Sequence, residues 1–356
     1  MEIKILCTKL MKPFLPTPPH LQRYKLSFFD QISEKEHVFM VFFFHNYNNI
    51  DMDEQLEQSL SKILTHVYLA AGRYDDKDEY CSILCLDQGI FYAKAMTNDM
   101  LDNYLNKARN DFGHVALFSP HVNKNIDETN FMVSPILTIQ VTKLNVVDSQ
   151  YQSVFHILQW MVSHIFNLLL SWQKCRMWTP IDKINFFLFN MGDIFPTRDI
   201  TGLFKSTPIL VIQQDIVVKR IVIREPIMSR LRKKCVDESG GALTFQSSRV
   251  EIITVILWRA FILVTTIING YLRPSLLDFP MNMRSKITFL PQMKNSFGNF
   301  MIGVPVKFIS GETKMELHHF IILIRNMVNK IVASCQKANS LVEIVSMLAN
   351  SYNKSF

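Results

Sequence analysis

Nowhere in this 356-residue chain does a basic stripe alternate with aromatic residues. That absence argues against nucleic-acid binding. The net charge is +7, which suits an anionic ligand, but the positive residues are scattered and charged residues make up only 19% of the chain. The densest basic run, RLRKK from Arg230 to Lys234, reads as a solvated helix end. Paired CxxC motifs are also missing. The six cysteines (7, 81, 85, 175, 235 and 335) are irregularly spaced, and Cys81 and Cys85 form a lone CxxxC with no matching pair. This pattern fits reduced thiols and gives no metal site. No apolar signal core precedes the prolines of MEIKILCTKLMKPFLPTPP, so a cytoplasmic protein is expected. Internal repeats and low-complexity tracts are lacking. One apolar run, Val250–Gly270, approaches membrane-spanning length. Arg259 would then lie near the bilayer centre at a cost of roughly 2.5–3.5 kcal/mol, so a buried helix is expected and no membrane partner.

What is present is a hydrophobic content of 48%, enough for a large core split over two domains. EHVFMVFFFHN is rich in β-branched and aromatic residues and reads as a strand. DEQLEQSLSKILTHVYLAAGR places Leu56, Leu60, Ile63, Leu64 and Val67 on one helical face, with Asp51 or Asp53 as cap and Gly72 as the stop. SILCLDQGIFYAKA reads as a hairpin turning at Asp87-Gln88-Gly89. PILTIQV is a strand, and an apolar helix is expected over 150–172. Between them KLNVVDSQYQS forms a strand-to-helix corner carrying Asp148, a common location for catalytic groups. Pro180, Pro196 and Pro208 punctuate a stretch without sustained period, read as a linker. Beyond it come a strand (DIVVKRIVI), a helix near 226–234, the helix at 249–268, a strand near 299–308 and a helix from about 313. Residues 216–308 are expected to form a mixed sheet under the 249–268 helix, and the class is α/β.

The order of these segments resembles the plant BAHD acyltransferases, closest to their alkaloid-acylating branch. The resemblance rests on PTPPHLQRYKLSFFDQI, LEQSLSKILTHVYLAAGR, SPILTIQVTKL, FPTRDITGLFKST, KRIVI, SRVEIITVILWRAFI and MNMRSKITFLPQMKNSFGNFM, in that order. It implies two chloramphenicol-acetyltransferase-like domains with a channel between them, at 1–178 and 209–356, joined by a crossover linker at 179–208. It implies a monomer that uses acyl-CoA as co-substrate and a small-molecule alcohol as acceptor. It also implies an HxxxD motif whose histidine takes the acceptor's proton, a largely structural aspartate facing an arginine, and a DFGWG motif toward the C-terminus.

The chain departs from that pattern. ILTIQVTKL runs directly into NVVDS, so the family's Cys-Gly-Gly turn and second strand are expected to be missing. On that reading Asp148 matches the motif aspartate and Leu144 stands at the histidine position, where it can accept no proton. Arg284 is then the expected partner of Asp148, although Lys286 replaces a second arginine found in many relatives. His156 is a weak substitute base, two helical turns from the corner; its bland reading is a packing histidine, shared with His164. His318 and His319 match no family role. LVEIVSMLANSYNKSF resembles the segment before DFGWG, and that motif is absent after it, so the second domain is expected to be incomplete, with open sheet edges and exposed apolar surface. The resulting expectation is a family acyltransferase of impaired activity. The alternative is an inactive relative kept for binding or regulation, or a decayed or mispredicted gene product.

Overall fold

The computed structural model describes residues 3–33, 37–44, 53–78, 81–98, 135–144, 150–158, 172, 187–199, 221–287, 291–312, 314–337, 343–344 and 346. The chain divides into two compact units. The first is Met1–Arg198 with Gln213–Arg220 and Asn295–Asn299; the second is Asp199–Ile212, Ile221–Lys294 and Phe300–Phe356.

In the first unit the elements run β1 (Lys4–Met11), β2 (Arg23–Lys25), α1 (Phe28–Gln31), β3 (His37–Phe44), α2 (Asp53–His66), β4 (Arg73–Tyr74), β5 (Ser82–Leu84), β6 (Ile90–Thr97), β7 (Leu137–Leu144), β8 (Gln150–Leu158) and α3 (Met191–Ile194). Five strands form one sheet in the order β1-β6-β7-β8-β3. Only β6 and β7 are parallel neighbours; the other pairs are antiparallel. A smaller sheet has the order β2-β5-β4.

The apolar period of α2 has its expected consequence. Leu60, Ile63, Leu64 and Val67 are buried in one cluster with Leu137, Ile139 and Val141 of β7, and Leu56 is partly buried against it. Fully burying such a side chain contributes about 1.5–3 kcal/mol. The helix ends at His66, and a 3-10 turn over Tyr68–Ala71 carries the chain to Gly72. Gly72 is extended rather than left-handed. A Cβ there would stand 2.7 Å from Ile83 Cγ2 and 2.8 Å from the Leu84 carbonyl oxygen, so close approach to β5 is what calls for glycine.

The expected hairpin over 82–95 does not form. Asp87 and Gly89 do adopt positive φ, 55° and 91°, as the turn chemistry requires. Their strands part company, however: β5 pairs with β2 and β4, whereas β6 pairs with β1 and β7. The Asp87 carboxylate accepts from the Thr17 backbone N–H (3.0 Å) and Thr17 Oγ1 (2.6 Å), which ties the turn to the N-terminal segment.

The second unit contains α4 (Glu225–Glu238), α5 (Arg249–Asn269), β9 (Ser275–Asn282), β10 (Met301–Phe308) and α6 (Leu317–Lys337). β9 and β10 are antiparallel, paired from Ser275 with Phe308 to Asn282 with Met301. Among the described residues this two-stranded ladder stands where a mixed sheet was expected. Residues 221–224 carry no regular structure, and the rest of DIVVKRIVI lies outside the described residues. Two strands alone are marginal in water; here helices cover them. Trp258 of α5 meets Phe320 of α6 edge-on at 5.1 Å, Phe320 stacks on Phe308 of β10 at 5.4 Å, and Trp258 Nε1 donates to Ser275 Oγ of β9 at 2.9 Å.

α5 is held at its start by a capping box: Ser248 Oγ accepts from the Glu251 N–H, and Glu251 accepts from the Ser248 N–H. Glu251 also pairs with Arg325 of α6 at 2.7 Å, and Arg325 lies over the Phe245 ring at 4.3 Å. Gly270 closes the helix in the left-handed region. Ser248→Ala should therefore cost about 1 kcal/mol, read as a shift in the urea midpoint of this unit; no shift would assign the cap no energetic weight. Val255 and Ile262 are buried as expected, but Leu257 is exposed. Only 28% of the most apolar stretch of α5 is buried, so the fully buried helix expected from composition is half solvent-facing.

Candidate active site

The strand-to-helix corner is not a corner. Gln150–Leu158 is β8, antiparallel to β7 on one side and to β3 on the other. Periodicity alone cannot assign a short apolar run such as SVFHIL; here the backbone partners on β7 and β3 decide it. Of the expected 150–172 helix, Trp172 is helical and 159–171 lie outside the described residues. Trp172 is buried, and its Nε1 donates to Ser59 Oγ at 2.9 Å and to the Leu56 carbonyl at 3.2 Å.

Three expectations change as a result. The second strand is present, so no open edge exists near residue 144: β7 is paired on both sides. Leu144 is the last residue of β7, paired with Gln150. Asp148 falls in the 145–149 connection between two antiparallel strands, outside the described residues, so its match to an aspartate at a strand-to-helix corner loses its basis. Its pairing with Arg284 also lies outside the described residues. Arg284 belongs to the second unit, where its backbone N–H donates to Asn282 Oδ1 at 3.0 Å.

The reassignment moves His156. It is a β8 residue, in register with Thr138 of β7 and Phe39 of β3. The argument that set it two helical turns beyond the corner no longer applies. His156 lies near the end of β8.

β7 also carries a feature not foreseen from sequence. LTIQVTKL alternates apolar and polar residues, which ordinarily means one buried and one solvated face. Leu137, Ile139 and Val141 face the core, yet Thr138, Gln140 and Thr142 are buried as well, each at 1% exposure or less. Gln140 Nε2 donates to Thr142 Oγ1 at 3.0 Å, while Gln140 Oε1 and Thr138 Oγ1 are buried without a hydrogen-bond partner. An unsatisfied buried polar atom costs about 1–3 kcal/mol, so a row of them at the middle of a sheet marks a functional candidate. The only signal in the sequence was three polar residues at every second position, which also describes an ordinary exposed face.

His318 is buried at the start of α6 with its ring 4.0 Å from that of His319. Burial holds His319 below the ordinary imidazole range, with His318 adding to the effect. Among the described residues no cluster of His, Cys, Asp and Glu could hold a metal ion. Cys81 and Cys85 flank β5, and Cys85 is a buried free thiol. Burial, with Asp87 nearby, pushes the Cys85 thiol up to about 12, and burial also raises Cys235 and Cys335. Since the thiolate is the reactive form, iodoacetamide at pH 8 should label the exposed Cys7 first and leave Cys85, Cys235 and Cys335 until the chain unfolds. Peptide mapping that found Cys85 labelled as fast as Cys7 would contradict this burial.

Comparison with known proteins places the fold. The sequence pattern of the Transferase family matches residues 1–146 and 197–354. The chain belongs to this family, the BAHD acyltransferases, whose members use acyl-CoA as co-substrate. It is 30% identical to an acetyl-CoA-benzylalcohol acetyltransferase of Clarkia breweri over 85% of this chain and 70% of the relative. It is 26% identical to vinorine synthase of Rauvolfia serpentina over 78% of this chain and 65% of the relative. The crystal structure of vinorine synthase superimposes with a TM-score of 0.71 at 20% identity, covering 99% of this chain and 80% of that one. That of F. sporotrichioides TRI101, complexed with coenzyme A and T-2, has a TM-score of 0.58 at 10% identity, covering 92% of this chain and 78% of that one. Both show a shared fold.

The family match breaks over 147–196, the stretch holding β8 and everything up to α3. None of the ten histidines in the chain is followed four positions later by aspartate; after His156 that position is Trp160.

Proposed function

We propose that this chain is an acyl-CoA-dependent O-acyltransferase of the reducing cytosol whose chemical step is impaired. Its acceptor is a hydroxyl of a plant specialised metabolite of the alkaloid type. The observation that carries the reading is the family match on both sides of 147–196 together with the absence of HxxxD inside it. The fold that binds acyl-CoA is inherited; the pair that aims a base at the acceptor is not. In the reaction, a base takes the hydroxyl proton, the oxygen attacks the thioester carbonyl, the C–S bond breaks, and coenzyme A leaves with its thiolate protonated. His156 is the remaining base, in register with Thr138 of β7, whose buried hydroxyl is unsatisfied. It lacks the aspartate of the motif, whose position is Trp160.

The test is calorimetric titration of the purified chain with acetyl-CoA, followed by release of free thiol in the presence of alcohols, benzyl alcohol and alkaloid alcohols among them. Expected are saturable acetyl-CoA binding and thiol release slower by about 10²–10⁴-fold than in a relative with the complete motif, the usual contribution of general-base catalysis. Failure to bind acetyl-CoA would overturn the reading. Binding with no release at all would make the chain a silent relative with a binding role.

A further inference from the structure

The polar row of β7 is one hydrogen short. Thr138, Gln140 and Thr142 are buried, and Gln140 Nε2 already donates to Thr142 Oγ1 at 3.0 Å. Among the described residues two atoms of the row are left over: Gln140 Oε1, which only accepts, and the Thr138 hydroxyl, which donates once and accepts. Turning the Thr138 O–H to Gln140 Oε1 leaves a single unmet need, a donor to Thr138 Oγ1. Three polar groups that merely satisfied one another would leave no such need.

Strand register points to the donor. Residues directly opposite on antiparallel strands share a face of the sheet, with Cβ atoms about 4.5–5.5 Å apart. Opposite Thr138 stand Phe91 of β6 and His156 of β8; opposite Gln140 stand Ala93 of β6 and Val154 of β8. Phe91, Ala93 and Val154 have no side-chain donor, which leaves His156. We propose that Thr138 is a positioning residue for the acyl transfer: its Oγ1 accepts from Nδ1–H of His156, and its own O–H donates to Gln140 Oε1. This rests on the reading of His156 as the base. The hydrogen bond made at one ring nitrogen sets the state of the other. With the proton held on Nδ1, Nε2 keeps the lone pair that takes the proton of the acceptor hydroxyl. Thr138 itself makes and breaks no covalent bond in the reaction.

Thr138→Val deletes the hydroxyl at nearly constant shape. Ring-nitrogen NMR of the full chain at mildly alkaline pH, with His156 assigned by its absence in His156→Ala, should show Nδ1 protonated and Nε2 bare. In Thr138→Val the ring should shift to the Nε2–H form or to a mixture. Thiol release from acetyl-CoA should slow by about 10–100-fold in kcat, the scale of a misplaced catalytic group, with acceptor KM and acetyl-CoA affinity unchanged. Thr138→Ser, which keeps the hydroxyl, should retain both the ring state and the rate. A wild-type ring in the Nε2–H form would overturn the inference, and so would a Thr138→Val protein that matches wild type in ring state and rate. Loss of rate in His156→Ala with none in Thr138→Val would overturn this inference alone. A rate that survives His156→Ala would overturn the reading of the base and this inference with it.

Discussion

Replacing Asp30 with alanine is expected to destabilise the first unit by about 4 kcal/mol, the cost of leaving several buried donors without their charged acceptor. Asp30 is 1% exposed. Its Oδ2 accepts from the Ser27 N–H (2.9 Å) and Ser27 Oγ (2.6 Å), which closes the capping box of α1, and its Oδ1 accepts from the Asn299 N–H (2.5 Å). Asn299 continues the network through its side-chain amide, which donates to the Phe29 carbonyl and to Ser33 Oγ. Gly298, at φ 135°, allows the loop to lie against the carboxylate: a Cβ there would be 3.2 Å from Asp30 Oδ2. Asp30→Asn keeps one acceptor oxygen and turns an amide N–H₂ toward donors, so its effect should be intermediate. Urea unfolding followed by far-UV circular dichroism reads both. With a slope near 2 kcal/mol per molar, the alanine variant's midpoint should fall by about 2 M. A change below about 0.5 kcal/mol would mean that Asn299 and Ser27 find other partners and that the carboxylate is dispensable.

The same node explains why the family was legible in the sequence while its site was not. Two of the stretches that carried the resemblance, around LSFFDQI and NSFGN, are 270 residues apart and meet at Asp30 and Asn299. A third segment joins them. Phe28 N–H donates to the Phe195 carbonyl (2.7 Å), Leu188 N–H donates to the Asn295 carbonyl (3.0 Å), and Phe297 lies against Phe187 and Phe189. Buried hydrogen bonds and ring contacts thus join three segments that are far apart in the sequence. The long helices α2, α5 and α6 were legible for a different reason: each carries an apolar period over many residues.

Other elements gave no such signal. β1 is exposed at nearly every residue, so its sequence has no alternation to read. β8 is an apolar run equally good as strand or helix until β3 and β7 are known to flank it. Taking β8 for a helix displaced the whole candidate site. It placed Asp148 at a strand-to-helix corner and His156 two helical turns beyond it, whereas Gln150–Leu158 is a strand.

That correction leads to the prediction with the largest effect on activity. Slow thiol release from acetyl-CoA by the unmodified chain should fall to the uncatalysed background in His156→Ala, with acetyl-CoA affinity unchanged. A base acts only on the proton in flight, so its removal lowers the rate without weakening ground-state binding. His164→Ala should leave the rate as it was. The pH profile supplies the independent readout. A neutral imidazole is required, so the wild-type rate should fall as acid protonates the ring. His156→Ala should lose that inflection. Trp160→Asp, which recreates the histidine–aspartate spacing, should raise the rate. Positioning alone accounts for large rate factors. Thiol release that persists in His156→Ala with its pH inflection intact would remove His156 from the mechanism and assign the base to another group.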